Sequence, residues 1–231
     1  MVFDFEKGAI IPVDKPYRWT SFDVIGSLRG FFRKELGVEK FKIGHAGTLD
    51  PLATGLLLLC TGPTTKRIEE LQELEKEYTG TFVIGGTTLC FDLEKPLNQL
   101  FNFDHLTHRD IEETAKHFVG DIMQVPPLFS AIKVNGKRAY KSARSGKELE
   151  LSSRQVKISA FEVLRIALPE VDFRIRCSKG TYIRSLVRDF GNLLNSGAYL
   201  SALCRTRIGS YRLEDAWSIQ GLKTVIKNQL L

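Results

Sequence analysis

The residues most able to do chemistry lie in one short run, Gly44-His45-Ala46-Gly47-Thr48-Leu49-Asp50-Pro51-Leu52-Ala53-Thr54-Gly55. Pro51 disfavours helical backbone at Asp50, and the flanking glycines permit turns that other residues resist. The apolar run Leu56 to Cys60 follows and has the length of a buried strand. Asp50 is therefore expected in a stiff loop at the rim of a core, where a fixed carboxylate can serve as nucleophile or general base. An isolated Asp-Pro more commonly caps a helix or braces a turn, and the spacing alone leaves both roles open.

A second candidate is Lys179-Gly180-Thr181-Tyr182-Ile183-Arg184. A strand end, a glycine turn and a helix start make a seat for an anion, with backbone N–H groups facing outward. Tyr182 offers a ring for stacking and Arg184 a planar guanidinium for phosphate or carboxylate. A capped helix with a surface arginine accounts for the same residues. Tyr78 reads by default as a core or edge aromatic.

Other chemistries lose support. The chain has no Walker A run, no G-x-G-x-x-G and no G-x-S-x-G. His45, His105, His108 and His117 form no H-E-x-x-H pattern. Cys60, Cys90, Cys177 and Cys204 lie far apart without a C-x-x-C pair, so free thiols in a reducing compartment are expected rather than disulfides or zinc. No metal and no cofactor is expected. No apolar run is long enough to span a bilayer, and Met1 to Gly8 carries Asp4, Glu6 and Lys7, unlike a signal peptide. A cytoplasmic protein is the expectation.

The elements that must position these residues can be read from periodicity. Ala9 to Val13 is an apolar strand. Thr20 and Asp23 form a capping box for a helix carrying Val24, Ile25, Leu28, Phe31, Phe32 and Leu36, with Gly37 as its stop. Ile68, Leu71 and Leu74 mark a charged second helix, and the alternation from Tyr78 to Ile84 a strand. Thr107 and Asp110 cap a helix around Ile111 to Phe118. Ala131 to Val134 enters a tight turn at Asn135-Gly136. Val156 to Ala167 and Val171 to Cys177 form a hairpin across Leu168-Pro169-Glu170. An amphipathic helix follows Gly180, and a last helix runs from Ser218. Hairpins mixed with helices predict an α+β architecture with a mixed, largely antiparallel sheet. The 231 residues, 43% of them hydrophobic, suffice for one large domain.

The net charge of +6 is unevenly placed. Lys133 to Lys157 holds eight basic and two acidic residues; Arg174 to Arg212 holds eight basic and one acidic. Such segregation suits a surface facing a polyanion, although solvated helix faces produce it too.

The Gly44 to Gly55 run closely resembles the G-H-x-G-x-L-D-P-x-A-T-G motif of the TruB family of tRNA pseudouridine synthases. Further matches are Asp14-Lys15-Pro16, Glu77-Tyr78, Pro127 to Lys133, Cys177 to Arg184, and Gly197 to Leu200 with Leu203 to Thr206. The resemblance covers nearly the whole chain and implies a pseudouridine synthase fold with the active-site cleft across its sheet. It makes Asp50 the catalytic carboxylate for isomerising a tRNA T-loop uridine, position 55, after base flipping. The N1–C1′ bond breaks, the uracil turns while held, and C5 joins C1′. It implies that Tyr78 stacks on the base, that Arg184 pairs with Asp50, and that Tyr182 and Leu203 line the pocket. Lys15 would support the pocket, Lys179 and His45 would bind substrate, and His45 would hold the opened T loop. The expected organisation is a single catalytic domain over residues 1–231 with a basic RNA-binding insert about 125–155, acting as a monomer with no guide RNA or protein partner. Three departures from the family pattern are Arg18, where a glycine is expected, Thr87 to Asp92, which keeps only Asp92 of an aspartate-rich turn, and the sequence after Asp215-Ala216-Trp217, too short for the C-terminal PUA domain many relatives carry, so none is expected. A non-catalytic RNA-binding protein or tRNA folding helper on the same scaffold is the alternative, but it would have no need of Asp50.

Overall fold

A computed structural model describes residues 7–130, 133–134, 137–138 and 151–230. They form two compact units: Met1–Tyr78 with Leu203–Leu231, and Thr79–Ala202. In the first lie β1 (Ile10–Lys15), α1 (Ser21–Leu36), β2 (Ile43–His45), β3 (Thr54–Thr61), a 3-10 segment (Gly62–Arg67) and α2 (Ile68–Glu73). Strand β4 (Lys76–Ile84) carries the chain into the second unit. There follow β5 (Gly86–Thr88), β6 (Leu97–Leu100), α3 (His108–His117), β7 (Gly120–Gln124), the short β8 (Lys133–Val134) and β9 (Lys137–Arg138), β10 (Arg154–Ala167), β11 (Glu170–Cys177) and α4 (Ile183–Leu193). Strand β12 (Ala198–Ile208) returns to the first unit, which closes with β13 (Tyr211–Arg212) and α5 (Ile219–Leu230).

Strand β3 organises the first unit. Its residues Leu56 to Cys60 are all fully buried, as a strand covered on both faces requires. Leu57 and Leu59 pack with Ile11 and Val13 of β1, Val24, Ile25, Leu28 and Phe32 of α1, and Leu222 and Ile226 of α5. Leu56, Leu58 and Cys60 face the other way, onto Ala46, Leu71 and Ile208. Strand β3 pairs antiparallel with β1 and β2 and parallel with β12. Helix α1 begins at the expected capping box, with the Thr20 hydroxyl accepting from Asp23 N–H and the Asp23 carboxylate from Thr20 N–H. It ends at Gly37, in the left-handed region at φ 64°.

The second unit is held by phenylalanines. Phe190 of α4 lies 4.8 Å from Phe82, 5.6 Å from Phe161 and 5.9 Å from Phe118, ring centre to ring centre. The expected hairpin is present as β10 and β11, and β7 pairs antiparallel along the other side of β10. Strands β8 and β9 pair antiparallel; their turn at Asn135-Gly136, and much of the basic segment 125–155, lie outside the described residues.

The α+β class with mixed, largely antiparallel strands is as expected. Several features differ from the sequence reading: the run beginning at Ile43 opens as strand β2 rather than loop, and β5, β6, β7, β9, β12 and β13 were not anticipated as strands.

Candidate active site

In the first unit, Asp50 sits half-buried between two turns of a tightly held loop. Its predecessor, Leu49, is clamped by Ser21 at the start of α1: Leu49 N–H donates to Ser21 Oγ at 2.9 Å, and that hydroxyl donates to Leu49 C=O at 3.3 Å. Behind Asp50, its carbonyl accepts from Ala53 N–H at 3.1 Å, closing a turn over Pro51. Upstream, Ala46 N–H donates to Leu58 C=O at 2.9 Å. A carboxylate anchored on both sides by backbone bonds loses little freedom when a substrate arrives.

Two buried cations flank this loop. Gly55 pairs with Lys15 of β1 on one side and with Arg205 of β12 on the other. Gly55 has φ 97°, and a Cβ there would collide with the Arg205 backbone, so only glycine permits this approach. Arg205 is 1% exposed; its Nε donates to Leu56 C=O at 2.8 Å and its Nη2 to Gly47 C=O at 3.0 Å. Lys15 is fully buried, with Nζ donating to the carbonyls of Trp19 at 2.5 Å, Pro16 at 3.0 Å and Pro51 at 3.4 Å. Burial pushes its pKa down to about 8, opposed by the Asp50 carboxylate and reinforced by Arg205. Lys15 thus ties the turn next to Asp50 to the end of β1 and places positive charge near the carboxylate.

His45 lies at the end of β2. Burial first, then Arg205, lowers its pKa, so the ring is neutral at pH 7. Its Nδ1 is buried with no hydrogen-bond partner among the described residues. Tyr78 is buried at the start of β4, and Leu203, in β12, is half-buried with its carbonyl accepting from Thr54 Oγ1 at 3.4 Å.

The second unit carries Lys179, Tyr182 and Arg184. Arg184 is not the surface arginine of an ordinary capped helix: it is 3% exposed. Its Nη1 donates to Cys90 C=O and its Nη2 to Phe129 C=O, each at 3.0 Å, and its Nε lies 3.5 Å from Asp92 Oδ2. Asp92 is itself buried, so loss of the guanidinium would strand a charge away from water as well as alter the chemistry. Tyr182 caps α4, and the wholly buried Gln124 side chain binds both its N–H, at 2.8 Å, and its C=O, at 3.1 Å. One backbone donor expected to greet an anion is therefore taken internally. Arg154 lies over the Tyr182 ring at 4.8 Å from its centre, and Lys179 is exposed.

Sequence reasoning missed four of these supports. Ser21, Gln124, Arg205 and Asp92 are polar residues of ordinary type whose roles appear only as buried partners. Arg205 did stand within a segment matching the family, and Asp92 was the one aspartate kept in a turn that otherwise departs from it, which was the available signal.

Comparison with known proteins fits this arrangement. A family model described as TruB family pseudouridylate synthase, N-terminal domain, matches residues 33–183. A Flavobacterium johnsoniae protein named tRNA pseudouridine synthase B is 53% identical over 94% of this chain and 95% of its own length. One of the same name from Phocaeicola vulgatus is 49% identical over 98% and 96%. A solved Cbf5-Nop10-Gar1 complex contains a chain matching at TM-score 0.72 and 30% identity, over 95% of this chain and 54% of that one. The chain thus spans about half the length of that structural relative. The fold is that of a pseudouridine synthase. Within that class, the chain belongs to the TruB family of pseudouridylate synthases.

Proposed function

We propose that this chain isomerises the T-loop uridine of tRNA, position 55, to pseudouridine, with Asp50 as the catalytic carboxylate. The observation that carries this is the fixation of Asp50: Ser21 grips the preceding residue, and two buried cations, Lys15 and Arg205, secure the turns around it. A residue that merely braced a turn would not need both. The names of the bacterial relatives, which this chain matches along nearly their whole length, support tRNA as substrate.

The reaction breaks N1–C1′, forms C5–C1′ and releases the hydrogen from C5, so it needs no redox partner. Asp50 would act beside the anomeric carbon. Tyr78 would stack on the uracil, and Leu203 and Tyr182 would exclude water while the base is detached, preventing hydrolysis to an abasic site. Arg184 is assigned as the cationic partner of the catalytic carboxylate, and Lys179 to a phosphate. His45, neutral and with one ring nitrogen unpartnered, suits stacking and hydrogen bonding within an opened RNA loop better than phosphate pairing. Flipping the uridine costs a few kcal/mol, offset by stacking and backbone contacts. In this reading residues 1–231 work as one catalytic domain in the cytoplasm, as a monomer without guide RNA, and the basic stretch about 125–155 holds the T arm. Among the described residues no helix is long and apolar enough to cross a membrane.

The test is tritium release from tRNA carrying 5-tritiated uridine. Wild type should release one equivalent per tRNA. Asp50→Asn should lose at least about a thousand-fold in turnover and keep its tRNA affinity. Binding without release by the wild type would instead identify an RNA-binding helper.

A further inference from the structure

Away from the Asp50 loop, the first unit contains a groove of about 570 Å³ between α1 and the segment Val38 to Lys42. Its floor is Gly26 and Gly30, four residues apart on one helix face; a Cβ added at either would meet nothing within 4 Å. Arg29 and Arg33 rise from the helix beside them, and Lys40 and Lys42 stand on the opposite wall. Glu39 is the single acidic residue lining it. Arg29 Nη2 donates to Ile43 C=O at 3.1 Å, which pins one guanidinium against the wall. The wall is secured too: Phe41 stacks on Phe32 of α1 with ring centres 3.7 Å apart, and Gly62 N–H donates to Lys42 C=O at 2.8 Å. Four cations against one anion, along a helix face stripped of side chains, form a positive trough that a chain of phosphates can enter closely.

We infer that this groove binds the sugar–phosphate backbone of an RNA strand, a contact additional to those of the Asp50 site. The inference rests on RNA being the substrate, as proposed above. Its recognition is of charge and shape: lysines and arginines on both walls meet successive phosphates, and the bare floor admits the ribose edge. Lys42 immediately precedes β2, which ends at His45, so the groove wall and the motif loop share one strand.

Two variants of the full chain separate this from a structural role, with affinity for a tRNA transcript read by fluorescence anisotropy across salt concentrations. Arg33→Gln with Lys40→Gln alters two exposed side chains. Affinity should fall about tenfold, and the slope of log K against log salt should shrink by roughly 1.4 to 1.8, the share of two phosphates. Gly26→Leu fills the floor without changing charge. It should raise the melting temperature, because glycine is a poor helix former, yet weaken tRNA binding several-fold. Unchanged affinity and slope in the double variant, or unchanged affinity in a folded Gly26→Leu, would overturn the inference. Anisotropy requires no turnover. A wild type that binds tRNA but releases no tritium would therefore defeat the proposed isomerisation without touching the groove, and a wild type that releases tritium while the groove variants bind tRNA as tightly as it does would defeat the groove alone.

Discussion

At the scale of single residues, Lys15 is the most informative side chain after Asp50. Its pKa near 8 lies below the ordinary 10.5, so between those values the unfolded chain binds the proton and the folded chain does not. Stability must then rise with pH across that window, because the burial cost of the ammonium is fully felt below pH 8 and relieved above it. Turnover should move the other way: above pH 8 the charge near Asp50 disappears. We expect an alkaline limb in kcat with a midpoint near pH 8, and in Lys15→Met both the limb and the stability gain should vanish. A limb that persists in Lys15→Met would assign it to another group. Asp50 was legible from sequence because a proline and several glycines mark its loop. Arg205 was not legible as a support, since nothing in an arginine's identity says that it will be buried against carbonyls.

At the scale of elements, sequence legibility followed how plainly local chemistry and burial agree. Helix α1 could be read from Thr20 to Gly37 because cap, apolar stripe and stop coincide. Strand β3 was legible as a run of leucines because both its faces are covered. Strand β12 was not, for its burial is irregular and its second half carries Arg205, Thr206 and Arg207. The last two hydrogen-bond to Glu77 and Glu75, so polar residues occupy positions where alternation would place apolar ones. The junction of β1, β3 and β12 at Gly55 yields a sharp expectation. Gly55→Ala must strain a positive φ and push β12 from β3, costing at least about 2 kcal/mol and loosening the Asp50 loop. Leu58→Ala, in the same strand, should cost about 2–5 kcal/mol through a cavity. Denaturant unfolding paired with kcat at saturating tRNA separates them: both variants lose stability, and only Gly55→Ala also loses turnover by tenfold or more.

At the scale of the whole molecule, the structure changes what the charge pattern means. Counting along the chain gives Arg174 to Arg212 eight basic residues and one acid, yet six of the eight are committed internally. Arg174 pairs with Glu162 at 3.0 Å, Arg188 with Asp189 at 2.7 Å, Arg207 with Glu75 at 2.7 Å and Arg212 with Glu214 at 3.3 Å. Arg184 faces Asp92, and Arg205 is held by carbonyls. The acids at positions 75, 92, 162 and 214 lie outside the counted stretch, so only folding reveals the cancellation. Exposed pairs of this kind are weak, about 0–1 kcal/mol, and an arginine could in principle leave its glutamate for a phosphate. Doing so would leave a carboxylate beside the RNA, and the pair as a whole would release little counterion. Eight free cations would contribute a slope of about 7 in log K against log salt, at about 0.9 per phosphate. The internal pairing predicts a far smaller share from this stretch. In the triple variant Arg174→Gln, Arg207→Gln, Arg212→Gln, the slope for tRNA binding should change by less than about one. A decrease of about 2.7, the full share of three phosphates, would show that these arginines abandon their glutamates when RNA binds.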